Sequence, residues 1–287
     1  MPPHHHLEKR IPAQTIPGTL ITPSRKAALW VLPPVTLGLS ILLLGLLIRS
    51  WQLSVGLVGM LFIHEMGHYL AFKLKGIRAS LPIFIPFIGA FIMPIEEVTS
   101  ARDLAEIALA GPLVGGMAAL ISLVAAQQAA ITSCGVSLVN GHISSEDFFC
   151  LISQGNGAFF WLQLASFGFV INLINLIPIN PLDGGRVAGA ISRWIWPVAI
   201  IGSIILLALD YAQTNHISLF LLTLGIAAII GFGETIWGFK HMAKSRYFAT
   251  PLSVRVAITA AYLVVVGALM VGLLISTQQL NLWRFIW

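Results

Sequence analysis

Seven apolar runs divide the chain, at about residues 28–48, 52–74, 104–130, 157–179, 187–209, 217–239 and 255–276. Each is long enough to cross a hydrocarbon core of roughly 30 Å as a helix rising about 1.5 Å per residue. The polar stretches between them are short, the longest being an N-terminal tail over 1–26 and a loop over 131–156. This pattern predicts an all-α polytopic membrane protein with about seven transmembrane helices. One transmembrane domain over 27–276 and a C-terminal tail over 277–287 account for the rest of the chain. There is no internal repeat. The first apolar run has the length of a span, not of a signal core of roughly 7–15 residues, so no cleavable signal is expected. His4, His5 and His6 in the tail are left outside the fold reasoning.

One apolar stretch does not fit the helical template. Residues 79–95, ASLPIFIPFIGAFIMPI, carry Pro82, Pro86 and Pro94 with Gly89 between them. Prolines at this density break a helix. The stretch cannot cross the membrane either, because Arg78 before it and Glu96–Glu97 after it belong on the same side. A re-entrant, extended, β-like loop is expected, its backbone satisfied by protein or a wet cavity. The competing reading is a loop lying on the membrane surface.

Composition agrees with the pattern. Of 287 residues, 57% are apolar and 9% are Asp, Glu, Lys or Arg, where a soluble domain carries about 25% charged residues. With a mean hydropathy of +0.89, a water-soluble globule, a disordered chain and a disulfide scaffold are excluded. The net charge of +5 points to anionic lipid headgroups, with no nucleic acid expected as partner. If the N-terminus is cytoplasmic and all seven runs span, fourteen of the sixteen basic residues fall inside, leaving only Arg49 and Arg284 outside. The positive-inside rule favours that topology over its mirror image. The 131–156 loop then lies outside the cytoplasm with Cys134 and Cys150, where either a disulfide or two free thiols is chemically permitted.

The second run contains His64-Glu65-Met66-Gly67-His68, an H-E-x-x-H motif. On a helix, residues i and i+4 share a face, so both imidazoles reach one tetrahedral metal, with Glu65 as general base toward an attacking water. This composition yields about 0.005 such matches by chance. Two histidines hydrogen-bonded in a bundle core would be the purely structural reading. An ionisable triplet inside a span is, however, functional by default.

Zinc in catalytic sites takes three protein ligands, so a third must come from elsewhere. Few acids are available. Apart from Glu65, only Glu106, Asp183 and Glu234 lie near apolar segments. Glu106 falls in the first turn of the third run, where a helix N-terminus stabilises a carboxylate without a metal. Depth alone does not separate Asp183 from Glu234. The stretch NLINLIPINPLDGG, residues 172–185, favours Asp183, because its prolines and glycines unwind the helix and let a carboxylate turn back into the bundle. Asn175, one turn before Pro178, is placed either as a donor toward the oxyanion of a tetrahedral intermediate or as an interhelical hydrogen bond. Asn172 and Asn180 read as structural.

HEMGH together with NLIPINPLDGG resembles the signature of the site-2 protease family, the intramembrane zinc metalloproteases. Ala110-Gly111-Pro112 is similar to the family's Gly-Pro element, and PFIGAF to its re-entrant loop. The resemblance covers residues 52 to about 186, the family's three-helix catalytic core. It implies one Zn²⁺ on His64, His68 and Asp183, Glu65 as the acid/base, and Asn175 as the family's asparagine before Leu-Asp-Gly. Many members carry an asparagine shortly after the Gly-Pro, where this chain has Gly115-Gly116. Many also carry PDZ or CBS domains, and no stretch here can hold one.

The implied substrate is a transmembrane protein cut within or near its own span. The implied setting is a bacterial cytoplasmic membrane with the zinc site toward the cytoplasm; oligomeric state stays open. An extended edge near the metal can pair with an unwound substrate by β-addition, with Ile83, Ile85, Phe87 and Gly89 as expected contacts. Gly111, Gly115 and Gly116 read as packing residues, and Trp194, Trp196, Trp237, Trp283 and Trp287 as interfacial anchors. Glu234 and His241, seven residues apart on one helix face, read as a polar pair. Two rivals stand beside this reading. One is a CAAX-type membrane H-E-x-x-H peptidase with Glu234 as third ligand; the other is a metal transporter using the same residues as a transit site.

Overall fold

The computed structural model describes residues 23–87, 89–96, 98–138, 149–151, 153, 157–214, 225–226, 228–233 and 250–278. Among the described residues helices dominate, as expected for an all-α polytopic membrane protein, beside one two-stranded sheet. Among the described residues, five helices are long and apolar enough to cross a membrane, and Ile195–Leu209 is a shorter apolar one. The predicted run at 217–239 falls largely outside the described residues, as do Glu234, His241, Trp237, Trp283, Trp287 and His4–His6.

α1 (Pro23–Ile48) and α2 (Trp51–Leu74) are joined by a two-residue turn in which Arg49 has a positive φ of 54°. The Ser50 hydroxyl caps α2 by accepting from Leu53 N–H. Inside the pair, buried Ser54 donates to the Ile41 carbonyl at 2.7 Å. α3 (Ala101–Cys134) is capped by Ser100 and closed by Gly135 in the left-handed conformation. Its buried face is mostly alanine and glycine, from Ala101, Ala105 and Ala108 through Gly111, Gly115 and Gly116 to Ala119, Ala126 and Ala130. Small side chains allow close backbone approach. α3 accordingly becomes the central helix, packed on α2 and on α4 (Ala158–Asn175).

The expected span over 187–209 is not continuous. The chain leaves α4 through an irregular turn and runs through α5 (Asp183–Ile191). It then turns again at Ser192–Trp194 before α6 (Ile195–Thr214). Pro197 explains the second break: it has no N–H to bond the Arg193 carbonyl, but is tolerated in the first turn of a new helix. Trp196, expected at the membrane interface, is only 6% exposed and donates its indole N–H to the Gly185 carbonyl at 2.6 Å. Trp194 is exposed. α7 (Leu252–Gln278) packs across α3, α4 and α5, and its Tyr262 donates to the Leu176 carbonyl left free where α4 ends.

The proline-rich segment is a β-hairpin. β1 (Ile83–Ile85) pairs antiparallel with β2 (Gly89–Phe91), matching Ile83 to Phe91, Phe84 to Ala90 and Ile85 to Gly89. The ladder extends below the strands through the Ala79–Pro94 bridge and the bonds from Ser80 N–H to Met93 and from Ile95 N–H to Arg78. Buried Phe84 stacks on Phe62 of α2 at 6.4 Å between ring centroids, two residues before the first motif histidine. Cys134 and Cys150 are disulfide-bonded, which closes off the lower-charge end of α3.

Candidate metal centre

α2 carries His64, Glu65 and His68 into the interior, all three buried. The irregular turn after α4 delivers Asp183 to the same point as the first residue of α5. His64 Nε2 and His68 Nε2 are 3.1 Å apart, and Asp183 Oδ2 lies 3.2 Å from the first and 3.1 Å from the second. A carboxylate oxygen of Glu65 lies within 4.8 Å of the histidine nitrogens.

The outer ring nitrogens decide what this cluster can hold. His68 Nδ1 lies 2.8 Å from the Ile107 carbonyl, which only accepts, so that nitrogen bears the proton. His64 Nδ1 lies 2.8 Å from Asn172 Oδ1, and Asn172 Nδ2 donates to the Gly168 carbonyl at 2.7 Å, which fixes the amide's orientation. With Nδ1 carrying the ring proton, each Nε2 in the neutral imidazole would present a bare lone pair toward the Asp183 oxygen. In that form three acceptors face one another, an arrangement that a metal cation between them satisfies. Zinc bonds of about 2.0–2.1 Å at tetrahedral angles would set ligand atoms about 3.3–3.4 Å apart. The observed triangle of 3.1, 3.1 and 3.2 Å is close to that. Two imidazoles and a carboxylate are also a donor set that catalytic zinc accepts.

α3 makes room for this centre. A Cβ on Gly111 would lie 2.2 Å from His68 Nε2 and 2.9 Å from His64 Nε2, so the space in front of the imidazoles exists only because residue 111 has no side chain. Gly111, read from the sequence as a packing residue, is thus part of the centre's wall. Asp183 Oδ1 accepts from Arg186 at 3.1 Å, leaving Oδ2 to face the histidines. Gly184 and Gly185 lie against the backbone of 176–180, where any Cβ would meet it at 2.1–2.5 Å.

Of the other acids, Glu106 has both oxygens occupied, Oε2 by Lys75 and Oε1 by Arg102. Burial works against the Lys75 charge, but its hydrogen bonds to Asp103 and Glu106 outweigh it and hold its pKa above the usual lysine value. Glu234, the remaining candidate, lies outside the described residues.

Asn175 is not drawn into the cluster by a hydrogen bond of its own. Its Nδ2 bonds back to the Ile171 carbonyl at 3.1 Å. Asn172, expected to be structural, is the asparagine that touches a motif histidine. Among the expected substrate contacts, Ile83 is buried, Ile85 is exposed, and Phe87 projects at 67% exposure with a positive φ of 65°. Gly89 takes a φ of 143°, reserved in practice for glycine.

Residues 52–207 match the model of Peptidase family M50. The chain belongs to this family, the site-2 proteases. Membership of this family implies zinc as the metal. Among characterised sequences it is similar to the probable zinc metalloprotease EGY2, chloroplastic, of Arabidopsis thaliana, with 31% identity over 150 residues, covering 45% of this chain and 26% of the relative. The Oryza sativa subsp. indica protein of the same name is 29% identical over 151 residues, 45% of this chain and 27% of the relative. The probable zinc metalloprotease EGY1, chloroplastic, of Arabidopsis thaliana is 28% identical over 162 residues, 49% of this chain and 30% of the relative. The matched region is thus less than a third of each relative's length.

Proposed function

We propose that the chain is an intramembrane zinc metalloprotease that hydrolyses a peptide bond within or near a transmembrane segment of another membrane protein. The observation that carries this reading is the convergence of three lone-pair atoms, from His64, His68 and Asp183, on one buried point beside Glu65. The proposed architecture is a single protease domain over 27–276 with its core at about 52–186. Its N-terminus and zinc site face the cytoplasm of a bacterial cytoplasmic membrane, as the distribution of basic residues supports.

In this reading His64, His68 and Asp183 hold the metal. Zinc, when bound, supplies Lewis acidity and lowers the pKa of water toward about 7. Glu65 takes the proton of the attacking water and later delivers it to the leaving amine. Asn175 serves the oxyanion only if its amide leaves the Ile171 carbonyl, a short rotation at the end of α4.

A substrate helix must unwind to offer its carbonyls, and the hairpin offers an extended template. Ile85, Phe87 and Gly89 lie at or beside its tip, with Ile83 at its buried base. The Phe84 N–H, which points away from β2, is bonded by the Thr36 hydroxyl of α1 at 3.2 Å. Strand addition along β1 therefore requires Thr36 to yield.

The test is Glu65→Gln, read by zinc content and by proteomics of membrane stubs in the native host. A protease keeps its zinc and accumulates uncut stubs. Unchanged stubs with intact metal transport would instead favour a transit site and overturn the proposal.

A further inference from the structure

The two histidines are held from behind in different ways. His68 leans on a backbone carbonyl, Ile107, which any residue at that position supplies. His64 depends on a side chain, the amide of Asn172, which is 1% exposed and crosses from α4. That amide occupies space belonging to α3. A Cβ on Gly115 would lie 2.4 Å from Asn172 Oδ1, 2.8 Å from Nδ2 and 2.9 Å from Cγ, too close for both to exist.

The first of these distances has a covalent counterpart. Within one asparagine, bonds of about 1.52 and 1.23 Å at a trigonal carbon also put Oδ1 about 2.4 Å from Cβ. An asparagine on α3 at position 115 can therefore set its carbonyl oxygen where the Asn172 oxygen now stands. From there it would accept from the same His64 Nδ1–H.

We propose that Asn172 is the positioning residue of His64, fixing its tautomer and ring plane, and that positions 115 and 172 are alternative carriers of this single amide. The inference rests on the reading of His64 as a metal ligand. Its physical content is that the centre needs one carbonyl-type acceptor behind His64 and one empty side-chain volume opposite it. Which helix supplies which is immaterial. Removing such an outer partner of a metal-bound histidine costs about 10–100-fold in metal affinity.

The experiment measures zinc affinity of the full chain in detergent by competition with a chromophoric chelator, with helicity and thermal unfolding recorded alongside. Asn172→Ala and the near-isosteric Asn172→Leu should each weaken zinc about 10–100-fold at unchanged helicity. Asn172→Asp keeps the acceptor toward His64 but sets its second oxygen against the Gly168 carbonyl, so it should bind zinc more weakly than the parent chain and more tightly than Asn172→Ala. Gly115→Asn alone overfills the interface and should be weak or unstable. Joined with Asn172→Ala, it should recover affinity to within about 5-fold. Labelled-imidazole ¹⁵N spectra should show His64 protonated on Nδ1 in the parent and in the double variant.

Wild-type affinity in Asn172→Ala and Asn172→Leu, with affinity lost in His64→Ala, would overturn the positioning role while leaving the metal site intact. A double variant no tighter than Asn172→Ala would overturn the exchange. Retention of zinc by His64→Ala would instead overturn the underlying site. Should Asn172→Ala and Asn172→Leu fail to fold, Asn172→Asp and the double variant still decide.

Discussion

Gly111→Ala is the smallest change that should disable the centre. The added methyl carbon would sit 2.2 Å from His68 Nε2, 2.3 Å from its Cε1 and 2.9 Å from His64 Nε2. Comfortable contact between such atoms needs about 3.5 Å, so the imidazole or the α3 backbone must shift by about 1 Å. Overpacking of this kind costs about 1–3 kcal/mol of stability. A misplacement near 1 Å at a reacting centre costs about 100-fold in rate. The assay compares zinc affinity and cleavage of a membrane substrate across three glycine variants. Gly116→Ala meets only the Leu269 side chain, whose Cδ2 at 2.6 Å can turn away, and should be nearly silent. Gly59→Ala meets nothing within 4 Å and should stabilise α2 by up to about 1 kcal/mol. If Gly111→Ala binds zinc and turns over like Gly116→Ala, the centre does not lie against α3 as described.

Asp183→Ala should abolish stoichiometric zinc, whereas Glu106→Gln should leave it bound, since both Glu106 oxygens serve Lys75 and Arg102; zinc analysis of the two purified variants separates them. Arg186→Met frees Asp183 Oδ1 from its partner and should weaken zinc about 10-fold or more, measured by chelator competition. Thr36→Val removes the hydroxyl on the Phe84 N–H and should raise cleavage of a helical substrate, while Ile85→Pro should abolish cleavage at normal zinc content. The raised pKa of Lys75 means its ion-pair stabilisation is complete below the ordinary lysine pKa and is lost only as pH rises through the higher folded value. Thermal unfolding of Lys75→Met and the parent chain should therefore differ by the same small amount throughout pH 6–9, with convergence only in strong alkali.

Much of this arrangement is legible in the sequence because it rests on local chemistry. HEMGH needs only the helical repeat to place two imidazoles together, and the prolines of 79–95 forbid a helix there. The Pro-Gly context of Asp183 likewise signals a turn back into the bundle. What escapes is anything set by how one helix is rotated against another. Asn172 and Asn175 are three residues apart and chemically identical; only the packing of α4 on the glycines of α3 turns the first toward His64. Gly111 and Gly115 look like any small-residue stripe until their missing side chains are found to be the space for the imidazoles and the amide. Trp196 looks like an interfacial tryptophan, but the break at Pro197 folds it inward onto Gly185. The expected place of the 131–156 loop outside the cytoplasm permits a Cys134–Cys150 pairing, and proximity decides it.

The most direct test of the metal centre is zinc X-ray absorption on the membrane-purified chain, with residues 1–22 removed so that His4–His6 contribute nothing. The expected result is one zinc per chain, a shell of nitrogen and oxygen at about 2.0–2.2 Å without sulfur, and scattering from two imidazoles. One of those imidazoles should disappear in a His68→Ala chain that still retains some metal. A zinc-free chain, or an unchanged two-imidazole signal in His68→Ala, would contradict the assignment of His64, His68 and Asp183.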